Sequence, residues 1–199
     1  MKRIFACIPL LALLMLTGCE KRLFHFIATI TQSPTFPINV ISGAFQSLPI
    51  PVVSSVIQNA VDIPAGGQIT RVDIESLALR TVAKSGNQAD SVKVTGIIIE
   101  AGVPQRIFGV ETIIIGGADA PLVALKTLNA AGINRLRIKL EGFIKNTDTQ
   151  PFEIQLSGDI MPSGRRLTAD FQLVVTATAK YDQCLEVPGL FSSGEKCGE

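Results

Sequence analysis

The chain has 199 residues, 47% of them hydrophobic and 6% aromatic, with no tryptophan; 18 Lys+Arg stand against 17 Asp+Glu, a formal net charge of +1. Such a balance excludes the basic field that nucleic-acid binding needs and leaves no acidic tail. Length and apolar content suffice for one domain with its own core, and the many valines, isoleucines and threonines favour sheet.

The N-terminus reads as an address. Lys2 and Arg3 precede an apolar run over residues 4–16. That run is shorter than the ~20 residues a spanning helix needs, so a removable export signal over 1–18 is expected. It closes on Leu16-Thr17-Gly18-Cys19. These four residues resemble the lipobox of bacterial lipoproteins, over residues 1–19 only. The resemblance implies cleavage before Cys19 and acylation (palmitate-type chains) of its thiol and of the new N-terminus. Several chains exceed the two-signal threshold for stable membrane anchoring. Glu20 is not the aspartate that retains such lipoproteins at the inner membrane. In a host with two membranes the resemblance therefore implies the outer one, facing the periplasm or beyond. Losing Lys2 and Arg3 leaves 16 Lys+Arg against 17 Asp+Glu, a nearly neutral mature chain. Lys21-Arg22 can touch anionic headgroups, though two charges are a weak attraction.

After the anchor, Phe24, Phe26, Ala28 and Ile30 alternate as in a strand, and Pro34, Pro37, Pro49 and Pro51 then break the chain. Residues 52–61 fit either a short helix or an edge strand. Strands are expected at 68–83, 90–100 and 106–115. In the first, Val72 and Ile74 share one parity while Leu77 and Leu79 take the other, which calls for a bulge near Glu75-Ser76. A helix is expected at 119–131, with Asp119 as cap, Pro121 in the first turn, Leu122, Leu125 and Leu128 on one face, and Gly132 as stop. "IIIGGADAP" (113–121) has the outline of a phosphate-binding turn but neither GxGxxG nor GxxxxGK[ST], and Asp119 would repel an anion.

Three antiparallel strands follow in this reading, at 133–145, 151–161 and 166–181, because apolar and polar residues alternate in each. Folding the first two about 146–150 puts Arg137 opposite Asp159 as a surface ion pair. The fold class expected is mainly β, an antiparallel β-sandwich with one helix at about 119–131. Its divisions are the signal (1–18), a lipid-anchored N-terminal segment (19–64), the sandwich core (65–183) and a C-terminal loop (184–199). Cys7 leaves with the signal and Cys19 is acylated, so Cys184 and Cys197 remain as a pair. A disulfide is the default for an exported chain; zinc would need histidines nearby.

Catalytic signals are weak. His25, the only histidine, lies six residues from the anchor in a Phe-rich stretch. Glu141, Glu153, Asp159 and Asp170 fall on the polar faces of the strands, where solvation is their ordinary use. Arg165-Arg166 sits at a turn. No metal or cofactor is implied.

The segment 122–160, with Leu140-Glu141-Gly142, a turn, Phe152 and Gly158, resembles in outline the later part of the water-stress/hypersensitive-response domain of type-2 late-embryogenesis-abundant proteins. Departures are the missing Asn-Pro-Asn-like element, the long strand at 166–181 and the cysteine loop. The resemblance implies a β-sandwich with one helix and a binding or protective role without catalysis. The functional expectation is a non-enzymatic, lipid-anchored envelope domain that binds a protein, glycan or lipid partner. The alternative is a carrier of hydrophobic ligands, held inside a sheet whose inward residues include the small Ala169, Ala177 and Ala179. An envelope hydrolase using surface carboxylates is the least favoured.

Overall fold

Alternation along the first described part of the chain produces β1 (Cys19–Gln32), whose even-numbered residues turn inward, with Ile30 fully buried. The computed structural model describes residues 19–41, 43–188 and 195–197. The signal-like stretch 1–18, including Lys2, Arg3 and Cys7, lies outside the described residues. Beyond β1 the chain forms β2 (Thr35–Val40), β3 (Ala44–Gln46), β4 (Ile50–Val52), α1 (Ser54–Ala60), β5 (Gln68–Ala83), β6 (Ser91–Glu100) and β7 (Val103–Ile114). The short β8 (Val123–Ala124), α2 (Ala130–Ile144), β9 (Phe152–Met161) and the long β10 (Leu167–Pro188) complete it.

The strands form two antiparallel sheets. One runs β1-β10-β5-β8, with β2 continuing the β1 edge against β10; the other runs β3-β9-β6-β7, with β4 beside β9. Inward residues such as Leu79, Phe171 and Leu173 from the first meet Val94, Ile98 and Leu156 from the second in one continuous apolar core. Phe45 and Phe171 touch across the sandwich, their ring centroids 5.4 Å apart. The fold is thus the expected mainly β, antiparallel sandwich. The bulge in β5 falls at Glu75, where the partners of Thr176 and Ala177 step from Ser76 to Ile74. That extra residue lets Val72, Leu77 and Leu79 all point into the core.

Several expectations need correction. The stretch 119–131 is not a helix: it is a turn, the two-residue β8 and an extended approach to α2. The alternating stretch 133–145 is not a strand but α2, so the sandwich carries two helices, α1 being the short-helix option at 52–61. Both periods were present in 133–145. Helical spacing buries Gly132, Leu136, Lys139, Leu140 and Phe143 on one face and leaves Ile138 exposed, whereas alternation would have buried Ile138. The cap is Asn129, whose Oδ1 accepts from the Gly132 N–H at 3.1 Å, and not Asp119. Gly132 is no stop signal. It lies in the first turn, so close to β7 that a Cβ there would stand 1.9 Å from the Arg106 carbonyl oxygen. Arg137, being helical, pairs with Glu141 at 2.9 Å one turn on, and not with Asp159.

Candidate functional site: an apolar cleft between the sheets

The two helices do not seal the sandwich completely. Between the distal end of β1 and the α1–β4 side remains a cleft of about 260 Å³. Ile30 and Gln32 of β1 and Val175 and Ala177 of β10 form one wall. Ile50 and Val52 of β4 with Phe152 and Ile154 of β9 form the opposite wall. Val56 and Ile57 of α1 and Leu136 and Leu140 of α2 close the remaining sides. Prolines set its shape: Pro34 ends the β1 run, and Pro51 keeps β4 to three residues on the sheet edge. Gln32 and Ser33 at one rim are the polar side chains among the lining residues, and none of the lining is charged.

Such a lining can desolvate an apolar group but holds no proton donor or acceptor of catalytic strength. Its size falls between the ~150 Å³ of a benzene-sized cavity and the roughly 300–1,000 Å³ of sites for drug-sized ligands. It suits one hydrocarbon segment or a pair of apolar side chains. Of the three small inward residues of β10, Ala177 lines this cleft; Ala169 and Ala179 are packed in the core.

The residues singled out from the sequence are scattered around this cleft rather than gathered in it. Cys19 is the first residue of β1, opposite Pro188. Glu20 accepts from Arg22 at 2.5 Å. Cys184 and Cys197 are joined in a disulfide with Cα atoms 6.1 Å apart. His25 Nδ1 lies 2.6 Å from Asp182 on β10, and that hydrogen bond, with the carboxylate's charge, raises its pKa above 6.5. Glu141 pairs with Arg137 and Lys145, and Asp170 pairs with Lys84 at 2.7 Å. Glu153 and Asp159 sit on β9 six residues apart. Arg165-Arg166 lies exposed in the β9–β10 turn, and Asp119 in the β7–β8 connection. Among the described residues no group of three or more His, Cys, Asp or Glu is placed to hold a metal ion.

Two charged sites escaped the sequence reading. Lys139 is 1% exposed, with Nζ 2.6 Å from Asp148 and 3.3 Å from Glu100, and it lies over the Phe143 ring. Arg135 also pairs with Glu100. The Lys139 hydrogen bond is the main cause holding the Asp148 carboxyl below its ordinary range. Glu111 feels desolvation most, which pushes its pKa up. The backbone N–H groups of Thr127 and Lys126, each 2.6 Å from Oε1, together with the Thr127 side-chain hydrogen bond and the Lys126 charge, outweigh it and hold the value low. Both sites fasten connecting segments: the first ties α2 to β6 and to the turn after it, the second ties the 126–127 segment to β7.

No family model matches the chain, and no curated protein matches it. Among solved structures it is similar to the decameric BFDV capsid protein, at 11% identity and a TM-score of 0.37, over 79% of this chain and 99% of that one. It is also similar to a Turnip Yellow Mosaic Virus chain, at 13% identity and a TM-score of 0.27, over 80% and 94% of the two chains. Likenesses at this level have no bearing on what the chain does.

Proposed function

We propose that this chain is a lipid-anchored domain of the bacterial envelope that binds without catalysis and holds an apolar group of its partner in the cleft. The observation that carries the reading is the uncharged cleft itself, walled by both sheets and both helices. The lipobox resemblance at Leu16–Cys19 supplies the tether. The acyl chains on Cys19 are not the occupant. Ile30 lies eleven residues further along β1, about 36 Å at ~3.3 Å per residue, roughly twice the depth of one leaflet of a bilayer core ~30 Å thick. The same lining suits the second reading, a carrier of free hydrophobic ligands.

Two measurements test this. The lipidated chain in phosphatidylcholine nanodiscs is titrated with N-phenyl-1-naphthylamine beside a Val56→Arg variant. Val56 is half exposed at the cleft rim, so arginine there leaves the core intact. The wild-type chain is expected to show a saturable fluorescence increment that the variant lacks; equal signals would refute the cleft as a binding site. Cys19→Ser is expected to abolish lipid labelling and membrane fractionation. Retention of both would refute the tether.

A further inference from the structure

The side of the sandwich that bears the cleft also bears a sheet edge that is unpaired among the described residues. β1 bonds to β10 on one side only. On its other side the Leu23 N–H donates to the Glu195 carbonyl at 2.9 Å, and the Cys197 N–H donates to Lys21. The odd-numbered residues of β1 thus aim their backbone groups outward. Cys19 standing opposite Pro188, which has no N–H to give, fits the same parity. No register shift interrupts the strand. The N–H and C=O groups of His25, Ile27, Thr29 and Thr31 therefore form an outward row with no partner among the described residues.

Neighbouring stretches of sheet edge are protected. Residues 195–197 cover β1 at 21–23, Pro34 and Pro37 blunt the continuation into β2, β8 covers the far edge of the same sheet, and residues 127–129 cover β7. The stretch 24–32 has neither proline nor lysine, and Ile27 is 67% exposed. A row of alternating donors and acceptors at strand spacing is a template for another extended polypeptide. A strand laid antiparallel on this edge places the side chain opposite Ile30 on the inner face, where Ile30 itself lines the cleft.

We infer that the partner is a polypeptide segment that adds to β1 as an antiparallel strand, backbone to backbone, and inserts alternate uncharged apolar side chains into the cleft. The inference rests on the cleft reading and names the chemistry of its occupant. The lining carries no charge, so the inserted side chains are aliphatic or aromatic, and the cleft accommodates one or two of them.

The probe is a fluorescein-labelled nonapeptide of alternating threonine and valine, added to the lipidated full chain in nanodiscs and followed by anisotropy. Saturable binding is expected, weakened at least tenfold by Val56→Arg and by Thr29→Pro. The Thr29 N–H faces outward, so proline removes an edge donor without breaking the β1–β10 ladder, and the melting temperature should hold. Thr29→Pro should also keep the naphthylamine signal, which separates edge from cleft. N-methylation of the threonine amides, which face β1 in the antiparallel pairing, should abolish binding; N-methylation of the valine amides should not. No peptide binding to a chain that takes up the dye would overturn the strand and leave the cleft to a free hydrocarbon. Equal binding by Thr29→Pro would overturn it too. No dye uptake by the wild-type chain would remove the cleft reading itself.

Discussion

His25 is the one imidazole of the chain, and its setting fixes a sign. Its Nδ1 meets Asp182 at 2.6 Å on the outer face of the sheet, and the bond and charge of Asp182, with a smaller contribution from Glu195, favour the protonated ring. A folded-state pKa raised above 6.5 means that the pair stabilises the fold fully below that value. The contribution is lost as pH climbs through the folded pKa. The ring is exposed, so salt screens the effect. An NMR titration of this imidazole should give a midpoint above 6.5, and Asp182→Asn should bring it back toward the ordinary value. A wild-type midpoint at or below 6.5 would mean that the pair does not form in solution. Nothing in this exchange calls for catalysis: the ring faces solvent, far along β1 from the cleft.

At the scale of elements, α2 decides the shape of the cleft, since Leu136 and Leu140 form part of its wall. The helix can seat there because Gly132 lets its first turn press on the Arg106 carbonyl. Alanine is intrinsically the better helix former by about 1 kcal/mol. Gly132→Ala should nevertheless lower stability in urea unfolding, because a Cβ 1.9 Å from a carbonyl oxygen forces the helix off β7. A stabilised variant would show that the helix end has slack. The strands at 68–83, 90–100 and 151–161 were legible because their alternation faces a core on one side and water on the other, and even the β5 bulge showed as a parity change. The sequence misled at α2 because Leu136, Ile138, Leu140 and Ile144 satisfy period two while Leu136, Leu140 and Phe143 satisfy period 3.6. Only the depth of the groove beside β7, a tertiary fact, selects between them. The cleft was illegible for a related reason: its walls come from six elements, and one of them, α2, alternates in the sequence as a strand would.

Across the whole molecule the two ends of β1 differ. The Cys19 end is clamped. The Cys184–Cys197 disulfide holds residues 195–197 against β1 at 21–23, near Cys19. At the other end, the cleft and the edge that is unpaired among the described residues lie together. The clamp has a second consequence for solubility, because the tail it retains is what covers the first part of an otherwise bare strand edge. Closing a loop of 13 residues' separation is worth about 3 kcal/mol in the chain-entropy model. Replacing both cysteines by serine should therefore cost about 2–3 kcal/mol in urea unfolding. It should also release the tail and lengthen the exposed edge toward Cys19, so that sedimentation velocity shows self-association absent from the oxidised chain. Thr29→Pro added to the same variant should reverse the association, since it blunts the edge without restoring the clamp. If the double serine variant were destabilised but stayed monomeric, the tail would be a staple for the sheet and not a cover for its edge.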